Sequence, residues 1–219
     1  YFELGSKSTA TKLLSKTEST DNKDLIKLWA KVGEVDKALE LIDSYSGSGN
    51  NNNGMWFGRS ARDPKSERYL LAAEICRGAG RHEEAIAYYE KVLALPDSYT
   101  RPMDHHEIDD KIKANANLEG TKLLKNLDIQ QVPDGTYSAT TTAYGGPLTV
   151  QVVIKKGIIS SVKITEHRET PSYIVMTEPT ARQIIAKQNF EDVDVVTGAT
   201  ITADAIINGA VKALFNAMK

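Results

Sequence analysis

Apolar positions follow two rhythms along this chain, and the change from one to the other comes near Pro133. Ahead of it they recur at three- and four-residue spacing. Leu25, Leu28, Trp29 and Val32 form one stripe that stops at Gly33, and Val35, Ala38, Leu39 and Ile42 resume it. That spacing predicts two amphipathic helices joined at the glycine. The phrase returns between Glu67 and Leu95. Tyr69, Leu70 and Ala73 precede Gly80; Ala85, Ile86, Tyr89, Val92 and Leu93 follow it, and Pro96 ends the helix. Aligned on Gly33 and Gly80, the two copies lie 47 positions apart. Between them Gly47 to Gly54 is a Gly/Asn/Ser stretch with nothing to bury, which predicts an exposed loop. Two hairpins fall short of the three or so repeats a solenoid needs, so capping helices are expected near residues 5–17 and 106–127.

After Pro133 the period drops to two. Gly135 to Ala143 is rich in Thr, and Tyr144-Gly145-Gly146 predicts a tight turn. Leu148, Val150, Val152 and Ile154 alternate with Thr149, Gln151 and Val153; Lys156-Gly157 turns again, and Ile159, Val162 and Ile164 continue the alternation. This predicts an antiparallel meander of three strands. A helix is expected from Thr177-Glu178-Pro179, with Thr177 as N-cap and proline tolerated in the first turn. A short strand is expected around Val193–Val196. The last helix should present Ile206, Ile207, Ala210, Val211, Leu214 and Met218 on one side. The fold class is therefore two domains. An all-α helical-hairpin repeat occupies residues 1–130, and a small α+β domain with the meander occupies residues 131–219.

Charge narrows the function. Against 29 Asp+Glu stand 27 Lys+Arg, a net charge of −2, and no basic stripe is present, which argues against a nucleic-acid partner. No apolar run approaches the roughly 18 residues of a membrane span. The single cysteine, Cys76, excludes an internal disulfide and a thiolate zinc cluster, and its helical surroundings predict a buried, inert side chain. His105-His106-Glu107 invites a metal reading, with Asp104 and Asp109 nearby. Adjacent residues point to different faces, so a surface loop and no metal are expected. His82, just after the Gly80 turn, is expected to face solvent. The chain opens on Tyr1, which suggests that a signal, an anchor or a disordered head once preceded it.

The chemistry-bearing stretch is Asp194-Val-Val-Thr-Gly-Ala-Thr200-Ile-Thr202. A strand is expected to end at a glycine and small residues, and a helix to begin at once. The first N–H groups of a helix lack intrahelical acceptors and its dipole favours an anion there. Gly198 and Ala199 would let a ligand approach the main chain. Thr197, Thr200 and Thr202 would add hydroxyls, so a phosphate is a natural guest. On spacing alone a threonine that simply caps the helix is the better reading, since capping threonines far outnumber phosphate sites.

Two resemblances extend this reading. Gly80-Arg-His-Glu-Glu-Ala-Ile-Ala-Tyr-Tyr-Glu-Lys-Val-Leu-Ala-Leu-Pro96 resembles the second helix of a tetratricopeptide repeat. In the second half, Asp134-Gly-Thr-Tyr137, Tyr144-Gly-Gly146, His167-x-Glu169-Thr-Pro171, Arg182-Gln-Ile184 and Asp194-x-x-Thr-Gly-Ala-Thr200 appear in the order of the FMN-binding domain family. Members include the C subunit of the sodium-pumping NADH:quinone oxidoreductase and the G subunit of the Rnf complex. The resemblance covers about residues 133–216. It implies FMN joined through its phosphate to Thr200 by a flavin transferase, with Asp194, Thr197, Gly198, Ala199 and Thr202 forming the recognition sequence and phosphate corner. It also places Tyr144, Gly145, His167, Glu169 and Thr170 around the cofactor. An aromatic beside two glycines equally suits a turn lid, and a strand-end histidine equally suits a backbone contact. Where many relatives continue Glu-Thr-Pro with glycines, this chain has Ser172-Tyr173-Ile174.

No nucleophile–base arrangement accompanies the motif. The resemblance implies an electron-transfer component rather than a stand-alone enzyme. Its partners would be the flavin transferase and a membrane-associated redox protein, and its place extracytoplasmic, exported or anchored by an N-terminal segment. A helical-repeat adaptor without redox function and a small flavin reductase are the alternatives.

Overall fold

The computed structural model describes residues 6–17, 22–46, 64–96, 106–194 and 199–219. The chain divides into two compact units, Tyr1–Ala114 and Asn115–Lys219. The division falls inside a helix, ahead of the composition change on which the 130/131 boundary rests.

The first unit is helical: α1 (Lys7–Leu14), α2 (Lys23–Lys31), α3 (Val35–Ser44), α4 (Pro64–Gly78), α5 (His82–Ala94) and the start of α6 (His106–Leu124). Asn22 caps α2, its side chain accepting from the N–H groups of Asp24 and Leu25 at 2.9 and 3.2 Å. The 47-residue repeat is carried into bond geometry. Gly33 and Gly80 both adopt positive φ, +95° and +72°. Glu34 N–H then reaches back to Trp29 C=O at 3.0 Å, and Arg81 N–H to Cys76 C=O at 2.8 Å. Both helices thus stop in the same glycine-based, six-to-one arrangement. Equivalent side chains are buried in both hairpins: Ile26 and Ala73, Ala38 and Ala85, Ile42 and Tyr89. The two hairpins are also joined by Arg81, which pairs with Glu84 of its own helix at 2.6 Å and with Asp36 of the preceding hairpin at 2.5 Å.

Charge is also buried here. Glu74 on α4 meets Lys27 of α2 at 3.3 Å and Lys113 of α6. Burial alone would raise its pKa, but Lys113, Lys27 and Lys23 outweigh this and bring it down to about 2. Cys76 is fully buried, and burial pushes its thiol up to about 11, which keeps it protonated and inert. The loop at Gly47–Gly54 lies outside the described residues.

The second unit holds the rest of α6, a three-stranded antiparallel sheet and three further helices. Strands β1 (Gly135–Ala143), β2 (Gly146–Lys155) and β3 (Ile158–Glu166) follow in the order β1-β2-β3. The inward set Leu148, Val150, Val152 and Ile154 is almost fully buried. Onto it pack α8 (Glu178–Lys187), against β3, and α9 (Thr200–Ala217), against β1 and β2. Gly209 of α9 allows that approach, since a Cβ there would lie 2.7 Å from Val150 Cγ2. α6 crosses α9 through buried polar groups. Asn117 donates to Asp204 at 3.0 Å, Asn208 donates to Asn117 at 2.7 Å, and Gly120 leaves room for the Asn208 side chain.

Three details depart from the sequence reading. A short helix, α7 (Pro171–Met176), occupies the stretch after Glu-Thr-Pro, because proline at its first position presets the helical φ. Thr177 precedes α8 but its hydroxyl donates back to Ile174 C=O at 2.8 Å instead of capping, since its backbone is already helical. Val193 and Asp194 belong to no strand, and Val195 and Val196 lie outside the described residues.

Candidate functional site

Three of the sequence motifs converge on one carboxylate. Glu169 stands between β3 and α7 and is only 6% exposed. One of its oxygens accepts the Gly145 N–H from the β1–β2 turn; the other accepts the Thr202 hydroxyl at 2.8 Å from the first turn of α9. The turn requires glycine at 145, because a Cβ there would lie 2.6 Å from the Arg168 carbonyl oxygen. Tyr144-Gly-Gly, Glu-Thr-Pro and the threonine-rich helix start are therefore parts of one corner, drawn together from positions 24 and 33 residues away from Glu169.

A second clamp holds the segment leading into that corner. Gln183 of α8 accepts from Asp194 N–H at 2.9 Å and donates to Asp194 C=O at 3.4 Å; the Thr180 hydroxyl reaches the same carbonyl at 3.5 Å. Arg182-Gln-Ile184 and Asp194 thus belong together through a side-chain amide that grips the backbone like a neighbouring strand. The Asp194 side chain itself is exposed.

At the start of α9, Ala199 occupies the N-cap position, buried and without a side-chain cap, and no acidic residue stands in the first turn. Thr200 is the first helical residue and is half-buried. A helix start whose N-cap residue offers no side-chain oxygen and whose first turn holds no carboxylate is suited to a phosphate. The residues present therefore fit the anionic end of FMN.

The other expected site residues are spread around this corner. Ala199, Thr200 and Thr202 share one helix start, but the Thr202 hydroxyl is committed to Glu169, so both act as an internal brace. Tyr144 is 68% exposed at the tip of the turn. His167 and Thr170 are exposed on the connection that carries Glu169, and Thr170 makes no side-chain cap for α7. Thr197 and Gly198 lie outside the described residues, as does His105; of the His106 side chain nothing is described. Among the described residues no group of three or more His, Cys, Asp and Glu is placed to hold a metal ion.

Sequence reasoning missed Gln188 and, though it quoted Gln183 within a motif, gave it no role; both form hydrogen bonds to distant backbone, which leave no periodic trace. Asp134, flagged only as part of a motif, spans the β2–β3 turn. Its carboxylate accepts from Lys156 N–H at 2.7 Å and Gly157 N–H at 3.0 Å, and these bonds from Gly157 and Lys156 hold it below the usual carboxylate range. Lys156 and Gly157 both take positive φ there, the geometry of a two-residue hairpin turn.

Fold and corner together describe a small α+β domain in which a threonine-rich helix start is braced against the sheet turn. Residues 143–215 match the family model of the FMN-binding domain. Over 84 residues the chain is 32% identical to an uncharacterized protein of Treponema pallidum (strain Nichols), a stretch amounting to 38% of this chain and 23% of that protein. The chain thus spans less than a quarter of that relative's length. The second unit carries an FMN-binding domain, and a helical region precedes it. No helix among the described residues is long and apolar enough to cross a membrane.

Proposed function

We propose that this chain is an electron-transfer module whose FMN is joined through its phosphate to the Thr200 hydroxyl. The observation that carries the reading is Thr200 as the first residue of α9, after an alanine N-cap, inside the stretch that matches the FMN-binding domain. FMN, when bound, supplies reversible uptake and release of electrons. The chain's own residues do the rest. The first N–H groups of α9 hold the phosphate charge, Glu169 fixes that turn against the Tyr144-Gly145 hairpin, and Gln183 holds the approach at Asp194. Thr200, the first residue of α9 and the last threonine of the Thr-Gly-Ala-Thr stretch, supplies the hydroxyl for attachment.

In this reading a flavin transferase makes the bond, which keeps the cofactor in place outside the cytosol. The helical hairpins dock a redox protein at a membrane, as in a tetratricopeptide-like adaptor. Protein co-expressed with a flavin transferase is expected to carry one FMN adduct by intact mass. Thr200→Ala should lose the adduct and remain folded, at a cost of about 0.5–2 kcal/mol if the hydroxyl also supports the helix start. Thr197→Ala should retain it. Fluorescence that persists in a denaturing gel of the Thr200 variant would move the attachment elsewhere. Protein that never acquires flavin would favour the adaptor alternative, and turnover of a small acceptor by the loaded chain alone would favour a reductase.

A further inference from the structure

The sheet of the second unit has two edges, and they are treated differently. At β3 the Gln188 side chain accepts from Ile159 N–H at 2.7 Å and donates to Ile159 C=O at 2.9 Å, closing that edge as a one-residue strand would. The β2–β3 register slips twice, and Lys163 and Glu166 place charge along β3. The Lys212 ammonium of α9 reaches the β1 edge, but within β1 itself there is neither a slip nor a charge. Its nine residues pair one-to-one with β2 without a slip, and Gly135–Ala143 contains neither charge nor proline. A long, regular, uncharged edge is what natural sheets avoid, because each outward N–H and C=O offers a place for another strand to add.

The outward set follows from the hairpin. The two-residue turn Tyr144-Gly145 makes Ala143 and Gly146 a bonded pair, so alternate residues back to Gly135 face β2. Thr136, Ser138, Thr140 and Thr142 therefore turn their backbone groups outward. The Thr140 carbonyl is accordingly reached by Lys212 Nζ of α9 at 3.0 Å.

We propose that this edge pairs with the same edge of a second copy, β1 antiparallel to β1 about a two-fold axis. Register and charge select that occupant. An axis at Ala139 sets Thr136 opposite Thr142 and Ser138 opposite Thr140, which uses every outward group and makes each pair Thr/Thr or Ser/Thr. A strand that pairs with itself brings copies of its own side chains together, so any Lys or Glu in it would repel its twin; β1 has none. Lys212 is the obstacle. It must surrender the Thr140 carbonyl to the partner's N–H, and the axis brings its own copy to the same seam. Removing that ammonium therefore strengthens pairing, whereas a substitution that merely disturbs the fold weakens it.

Light scattering on the full chain across a concentration series tests this. The mass is expected to rise from 24.0 kDa toward twice that value. Lys212→Gln should shift the midpoint to several-fold lower concentration. Ser138→Pro, at an outward N–H that β2 does not use, should stay at 24.0 kDa. Where circular dichroism shows that variant unfolded, Ser138→Lys gives the same readout by setting like charges across the axis. A mass of 24.0 kDa at every concentration overturns the proposal, including where an added extended peptide of other sequence binds the edge, since the occupant would then be a partner's strand. A dimer that survives both Ser138 variants, or one that Lys212→Gln weakens, overturns it as well.

Discussion

Single residues settle the shape of the corner around the start of α9, and Glu169 has most to do. Its two oxygens satisfy the backbone N–H of the exposed Gly145 turn and the Thr202 hydroxyl, which would otherwise be buried without an acceptor. Glu169→Ala is expected to cost about 2–3 kcal/mol, because a buried donor left unmatched loses its full hydration. Thr202→Val removes only one of the two bonds and should cost about 1 kcal/mol. In denaturant titrations the double variant should be less destabilised than the sum of the singles, since both act on one carboxylate; strict additivity would show that the brace does not operate. The motif marked Glu169 in the sequence, but the resemblance gave it a place beside the cofactor. Its partners lie across the fold, so no local spacing could reveal the brace. Asp134 is similar: visible as a motif residue, it acts on a turn more than 20 positions away.

Helices and strands were more legible than their joints. Apolar period alone located α2, α3, α5, α9 and the three-stranded meander, because each buries one stripe or one face. α7 was not visible, since six residues carry too little periodicity. The glycine turns were visible as punctuation, and their geometry now gives them a cost. Gly33 has open space where a Cβ would stand, so Gly33→Ala meets no clash and pays only for its positive φ. About 1–2 kcal/mol is expected, and Gly80→Ala should lose a comparable amount because it stops α4 in the same way. Thermal unfolding of the two variants checks this. A neutral Gly33→Ala would mean that the helix end relaxes into another conformation.

At the scale of the molecule, acid should act first on the helical unit. Glu74 has a pKa near 2, well below its ordinary 4.5, because its lysine partners favour the charged form. The sign follows directly: the folded state binds its proton less readily than the unfolded state. The resulting stabilisation is complete above about pH 4.5 and is lost as pH falls toward 2. Its size is on the order of 3 kcal/mol at neutral pH. Helical circular dichroism during acid titration should lose this component in Glu74→Gln, which cannot ionise. An unchanged acid profile in that variant would assign the transition to other carboxylates. None of this was readable from the sequence, where Glu74, Lys27 and Lys113 are ordinary charges on three separate helices.

The paired stops at Gly33 and Gly80 also set a grain for evolutionary change. Each hairpin ends its first helix with its own glycine and begins its second with its own small buried alanine, so a stretch of 47 residues can be duplicated or deleted with like joined to like. The helical unit can therefore lengthen or shorten by whole hairpins without inventing a junction. The corner at the start of α9 has no such seam. Gly145, Glu169, Gln183, Asp194 and Thr202 interlock across the sequence, and any cut between them separates a donor from its acceptor. Lineages carrying this chain should accordingly vary in the count of their hairpins while inheriting the corner as a single piece.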